Sequence, residues 1–182
     1  MRVMKIASVV AVVACSWIAG SVAIAEETPG RVEKAGLRVG TFDSRAVAVA
    51  YAGSDVHNRL IKQMMEQHAK AKAAGDKQKT AELEAQGKAQ QDQLHQQGFG
   101  TASVAGILET IKDQLPAIAK QAGVDVIVSR WDVVYQAPGV ETTDVTAELI
   151  KPFNPSERTL KTVEELKKLP PVSLEELKRL KD

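Results

Sequence analysis

Cysteine is almost absent from this 182-residue chain, and the one present, Cys15, falls inside an apolar N-terminal stretch. If that stretch is removed no thiol remains. Disulfide staples and thiol catalysis are then both excluded, and stability must come from packing and assembly. Aromatic residues make up only 4% of the chain, which suits helices packed in thin layers better than a thick core around a deep catalytic cleft. Net charge is also close to zero: 24 basic residues against 23 acidic ones give no electrostatic grip on nucleic acid. There is no phosphate-binding loop, because Gly98-Phe99-Gly100 is too short and no Lys-Ser or Lys-Thr follows it. No Ser/His/Asp set and no His-Glu-x-x-His pair stands out. The chain therefore reads as a non-enzyme, with no cofactor, small-molecule substrate or catalytic residue expected.

The N-terminus has the layout of an export signal. Arg2 and Lys5 precede an apolar run from Ile6 to Ala25, and Ala23-Ile24-Ala25 supplies the small residues a signal peptidase needs before Glu26-Glu27. Cleavage after Ala25 and a periplasmic location are expected. An uncleaved membrane anchor of about 20 residues is one alternative; lipidation at Cys15, within Val12-Val13-Ala14-Cys15, is another. Removing Arg2 and Lys5 turns the formal charge from slightly positive to slightly negative. Residues 26–36, with Pro29-Gly30, read as a flexible lead-in.

Leu37 to Asp43 alternates and reads as a strand, with Asp43 placed to cap the next element. Ala46 to Tyr51 alternates too, but its alanines and the cap favour a helix. From Ser54 to Gln97 the chain is helical, polar and rich in glutamine, and its one central turn signal, Ala74-Gly75-Asp76, divides it into two similar arms. An antiparallel helical hairpin over 54–97 is the economical reading. Val56, Leu60, Met64 and Ala71 mark one face of the first arm; the second offers only Leu83 and Leu94 as large apolar residues. So thin a stripe stabilises little by itself, at about 2 kcal/mol for each large side chain fully buried. The hairpin is then either a solvated arm or a surface that packs on copies of itself or on a client. Leu60, Met64 and Met65 are the candidate contacts, because flexible thioethers adapt to varied partners. The body's apolar residues are expected to lie outside Val56–Gln96, so that interval should be removable.

After the break at Gly98-Phe99-Gly100, apolar residues from Val104 to Ile118 follow a helical face. Pro116 predicts a kink near Lys112, and Gly123 a helix end. Val124 to Val128 and Val133 to Tyr135 read as two strands around a tight turn, with Trp131 as an anchor beside it, and Thr142-Thr143-Asp144 as the cap of a helix from Val145 to Lys151. The predicted class is α+β: a small β-body of three short strands carrying a projecting hairpin. Val126, Val128, Val133 and Tyr135 are the expected body and assembly residues.

The two ends of this layout resemble the Skp or OmpH-like family of periplasmic chaperones. Leu37 to Phe42 leading into Asp43-Ser44-Arg45 is similar to the family's first strand and helix start. Ile118 to Val128, Val133 to Tyr135 and Asp144 to Ile150 look like its terminal pattern of return helix, strands and capped helix. The resemblance spans residues 37–153. It implies a homo-trimer with a central β-body, whose hairpins surround a cavity that holds unfolded outer-membrane or envelope proteins without ATP. Three features depart from the pattern: arms of roughly 20 residues, or about 30 Å, a nearly balanced hairpin charge, and a tail over 154–182.

That tail repeats itself. Thr162 to Leu169 and Ser173 to Leu180 are near copies, each opening with a hydroxyl residue three before a glutamate, and Pro170-Pro171 separates them. Two short amphipathic helices are expected, too short to stand alone, with their leucines docked on the body or on a partner. A structural envelope protein that uses hairpin and tail for a fixed partner is the competing reading. A metal-dependent hydrolase is a third, since His57 lies nearly opposite His95 across the hairpin, with Asp55 and Asp92 near.

Overall fold

The structure, a computed structural model, describes residues 36–179. The expected signal segment with Ala25, the alternative anchor at Cys15 and all but the last residue of the lead-in lie outside those residues. Strand β1 (Val39–Phe42) buries Gly40 and Phe42 and leaves Val39 and Thr41 half-covered on its other face. Asp43 then caps α1 (Ser44–Ala52) by accepting from the Arg45 N–H at 3.0 Å. The Ala46–Tyr51 run, despite its alternation, is thus a helix. Its alanines are small enough for three later helices, over residues 77–99, 146–150 and 157–166, all to pack on it, and Ala46, Val47, Ala48 and Ala50 are buried.

Helices α2 (Asp55–Ala73) and α3 (Lys77–Phe99) form the hairpin. Ser54 caps α2 through the His57 N–H, and Asp76 caps α3 through the Lys79 N–H. At the helical rise the arms are about 28 and 34 Å long. Toward the tip only Ala71 and Leu83 are buried, whereas at the root Gln97 and Gly98 are buried and Leu94 packs against the core. The interval Val56–Gln96 is therefore not free of body residues, because α3 enters the core at its C-terminal end.

The expected kinked helix is instead α4 (Ala105–Glu109), a 3-10 turn over Lys112–Gln114, and α5 (Leu115–Ala122). Pro116 sits in the first turn of α5, where a missing N–H leaves no intrahelical bond unmade. Gly123, at φ 68°, closes α5 with paired bonds from its own N–H to Lys120 and from the Val124 N–H to Ala119.

Strand β2 (Val126–Ser129) pairs with β1 in parallel, Val39 opposite Val126 and Thr41 opposite Val128. The third strand is β3 (Thr142–Asp144), parallel to the other side of β1, in the order β2-β1-β3. This corrects the expectation for Val133 and Tyr135, which lie in the connection and not in a strand. The physical reason is the direction of pairing. Two strands that both run parallel to β1 cannot be joined by a tight turn, so residues 130–141 carry the chain back to the start of β3. Val134 is 99% and Tyr135 78% exposed along that path.

Phe42, Ile127 and Val124 on the inner side of the sheet meet Val47, Ile107, Ile111, Ile118, Val145 and Leu149. Gly40 is required by this close approach, since a Cβ there would stand 3.1 Å from both Val124 and Val145. The chain continues through α6 (Thr146–Ile150), a 3-10 turn over Lys151–Phe153, α7 (Glu157–Leu166) and α8 (Leu174–Arg179). Helix α7 starts earlier than the repeat suggested, because Ser156 and not Thr162 is its cap. The second repeat does form the reciprocal capping box, with Glu176 accepting from the Ser173 N–H and Ser173 accepting from the Glu176 N–H.

Candidate functional site

A buried ion pair ties the sheet to the tail. Asp43 and Arg45 are both inaccessible, and Arg45 Nη2 lies 2.8 Å from Asp43 Oδ2. Arg45 also donates to the carbonyls of Leu169 (2.9 Å) and Leu166 (3.2 Å), so its remaining hydrogens end on the last turn of α7 and the residues just after it. Trp131 donates from its indole N–H to Asp43 at 3.2 Å, and the guanidinium carbons of Arg45 and Arg130 stand 4.8 and 5.1 Å from its ring. Burial pushes the Asp43 carboxyl up, but the bonds and charge of Arg45 outweigh it and hold the group below the usual carboxylate range. Every member has a partner, so this cluster is a latch between elements. Trp131 anchors it from the residues just after β2, not from a tight turn between two strands.

The tail docks on its own body. Val163 and Leu177 are buried, α7 packs on α1 and α8 on α3, and the Val172 N–H donates to Phe99 at 2.8 Å. Leu160 and Leu169 stay exposed.

The sheet has one face turned from the core. Partners in a parallel register share a face, so Val39, Thr41, Val126, Val128 and Thr142 all lie on it, and none is buried. Val133, Val134 and Tyr135 reach the same region, lining a hollow of about 370 Å³ with Thr41, Thr142, Arg130 and Asp144, the last of which lies opposite Thr41 on this face. The four expected assembly residues are thus brought to one side of the molecule, two on a strand and two on the crossing connection. A parallel sheet normally has both faces covered.

At the hairpin root, α1, α2 and α3 enclose a cleft of about 550 Å³. Val49, Ile61, Met64, Leu94 and Phe99 give it apolar walls, and its polar members are His57, His95, Gln90 and Gln91. Among the described residues no carboxylate, ammonium, guanidinium or hydroxyl side chain lines it. Burial holds the His57 imidazole below its ordinary pKa, hence neutral at physiological pH. His57 and His95 therefore share a cleft, as their pairing across the hairpin suggested. Among the described residues, however, no group of three or more His, Cys, Asp or Glu could hold a metal ion. Leu60 borders a smaller hollow of about 160 Å³ beside Tyr51 and Ile107, and Met65 is 68% exposed. Of the three candidate contacts, only Met64 enters the large cleft.

The residues missed by reading the sequence are Val49, Phe99 and the glycines of α3. Phe99 is 52% exposed at the cleft, and its ring stands 5.8 Å from that of His95. Gly87 and Gly98 both line the cleft, and each costs roughly 1 kcal/mol relative to alanine within a helix. A mid-helix glycine is the one signal that could have pointed here.

Such a cleft can seat an uncharged, apolar group. Among the described residues no helix is long and apolar enough to cross a membrane. No family model matches this chain, and no curated protein and no solved structure matches it either.

Proposed function

We propose that this protein is an exported, ATP-independent holdase of the Skp or OmpH-like kind, which keeps unfolded outer-membrane or envelope polypeptides soluble in the periplasm. The observation that carries the reading is the hairpin: arms of about 30 Å, rooted in the body, with only Ala71 and Leu83 buried toward the tip. An arm with so little core of its own is suited to contact something else. The apolar-walled cleft at its root and the adaptable Met64 suit reversible apolar contacts. The sheet face turned from the core supplies a surface for assembly, and the homo-trimer of the resemblance would be built through Val126 and Val128, with Val133 and Tyr135 beside them.

The test is dilution of a urea-unfolded β-barrel protein into buffer with and without this chain. Suppressed light scattering at a stoichiometric ratio is expected; unchanged aggregation refutes the reading. The purified, exported chain should begin at Glu26 by N-terminal sequencing, and a lipid-modified start at Cys15 would instead place it on a membrane. A second reading, a structural envelope protein bound to one fixed partner, is favoured by Leu160 and Leu169, which stay exposed on a tail otherwise docked on the body.

A further inference from the structure

We infer that the tail is a strap that fixes the angle of the hairpin by covering both hinges on which it turns, and that α8 is the part of the strap built to let go. The strap acts whatever the arms hold.

The hairpin joins the body through two short connections, Gly53-Ser54 between α1 and α2 and residues 100–104 between α3 and α4. The tail reaches both. Thr159, in α7, lies so close to the first that a Cβ on Gly53 would stand 3.3 Å from its hydroxyl oxygen. At the second, a Cβ on Gly100 would stand 3.3 Å from a Leu177 methyl and 3.4 Å from the Val172 carbonyl oxygen, besides 2.8 Å from the Gln96 carbonyl oxygen of α3 itself. Neither glycine has a positive φ, so what each supplies is room for its neighbours. The Val172 N–H completes the second contact by donating to the carbonyl of Phe99, the last residue of α3. One segment thus touches both arms where they meet the body.

The root of the hairpin has little else to set its angle. There α3 buries Gln97 and Gly98, one polar and one without a side chain, and Leu94 is only half-covered. The Gln97 amide donates to the Ser103 carbonyl at 2.7 Å, which ties the helix to its own connection. An arm of about 30 Å that turns through about 20° moves its tip by about 10 Å, so slight freedom at the hinge is large at the tip.

The two halves of the strap are held unequally. Helix α7 has 10 residues, buries Val163, and ends on the carbonyls that Arg45 grips. Helix α8 has six residues, too few to persist alone, and is fixed by Leu177 and the Val172 bond. Pro170-Pro171 stand between the two, and neither can donate a backbone bond. The strap therefore opens at α8 while α7 stays on Arg45. Anything that captures Leu177 must take it off Gly100, so binding at α8 and freedom of the arm are linked.

The experiment uses the full chain with Cys15→Ser and two spin labels, at Lys77→Cys beside the hairpin tip and at Gln121→Cys on α5, both exposed positions. Pulsed electron resonance reads the distance between the labels, and hydrogen exchange at the Val172 and Leu177 amides reads release of α8. The parent is expected to show one narrow distance distribution. Leu177→Asp should speed exchange at both amides by roughly tenfold or more and about double the width of the distribution, with the main melting transition kept. Glu175→Ala, at an exposed position of α8, should change neither. If Leu177→Asp abolishes the cooperative transition, Leu177→Ala replaces it, with the same two changes expected at smaller size. Faster exchange with an unchanged distance distribution overturns the inference, because α1 and α3 then set the angle alone. Unchanged exchange also overturns it, since Leu177 would not be what holds α8. So does a parent distribution as broad as the variant's, which leaves the strap fixing nothing.

Discussion

The guanidinium of Arg45 grips the carboxylate of Asp43 through two bonds, Nε to Oδ1 at 3.1 Å and Nη2 to Oδ2 at 2.8 Å, with both side chains wholly buried. The pair sits where β1 passes into α1, and its outer bonds reach the Trp131 indole on one side and the tail carbonyls on the other. Two residues apart in sequence, they connect segments far along the chain.

Removing one member leaves a buried charge without its partner. Asp43→Asn or Arg45→Met is expected to destabilise the chain by about 3–5 kcal/mol in urea unfolding. Arg45→Lys is expected to rescue little, because an ammonium cannot supply the planar fork that reaches Asp43 and the tail carbonyls together. An Arg45→Lys chain as stable as the parent would sink the latch. The folded-state pKa of Asp43 is lowered, as is that of Asp144, where burial is outweighed by the Thr146 bonds and the nearby Lys167 and Arg130. Their contribution is full above the ordinary carboxylate pKa of about 4 and is lost as pH falls through the lowered values.

His57 acts in a higher pH window. Its folded pKa is lowered by burial, so as pH falls below about 6.5 the unfolded chain takes up the proton first. The His57 contribution is therefore expected to be full above that value and to be lost as pH falls through the lowered folded pKa. The His57→Gln chain should show a shallower decline in melting temperature between about pH 7.5 and 5. Identical slopes would remove His57 as the cause.

Val128 tests the proposed assembly face without touching the core. It lies on the sheet face turned from the core, whereas Ile127 packs against the core. Val128→Asp therefore does not place a carboxylate in the chain's own interior, and about 1 kcal/mol of lost strand stability is expected. If copies assemble through this face, the mass measured by light scattering should drop to that of one chain while the melting transition survives. Ile127→Asp is expected to unfold the chain outright. A Val128→Asp protein that keeps its assembled mass would move the interface elsewhere.

The hairpin can be shortened but not removed at its root. Replacing Glu66–Gln86 with a short glycine-asparagine turn leaves Leu94 and Gln97 in place, and the body should keep a cooperative transition. Under the proposed holdase function, protection of an unfolded barrel protein should fall sharply, because the arms that would contact it are gone. Full protection by the shortened chain would locate client binding in the body or the tail. Deleting Val56–Gln96 is expected to destabilise the body itself, because it strips Leu94 from the core.

Features set by near neighbours could be read before any fold was known. The Asp43 cap, the turn at Ala74-Gly75-Asp76, the left-handed Gly123 and the Ser173–Glu176 capping box each depend on contacts within a few residues. Val126 and Val128 were legible as strand for a similar reason, β-branched residues between turn signals. The third strand was not. Thr142–Asp144 is three polar residues whose only reason to extend is β1, a distant stretch of the chain, and the valines and tyrosine before it had the better strand composition. Composition cannot reveal whether two strands run parallel, and that direction alone made 130–141 a crossing connection and put Val133 and Tyr135 outside the sheet. The cleft depended on folding in the same way: Val49, Met64, Gly87 and Phe99 share no local pattern, and only the meeting of three helices places them around one space. The chain's local grammar sets where elements start and stop; long-range packing, which no short window of residues contains, sets what they enclose.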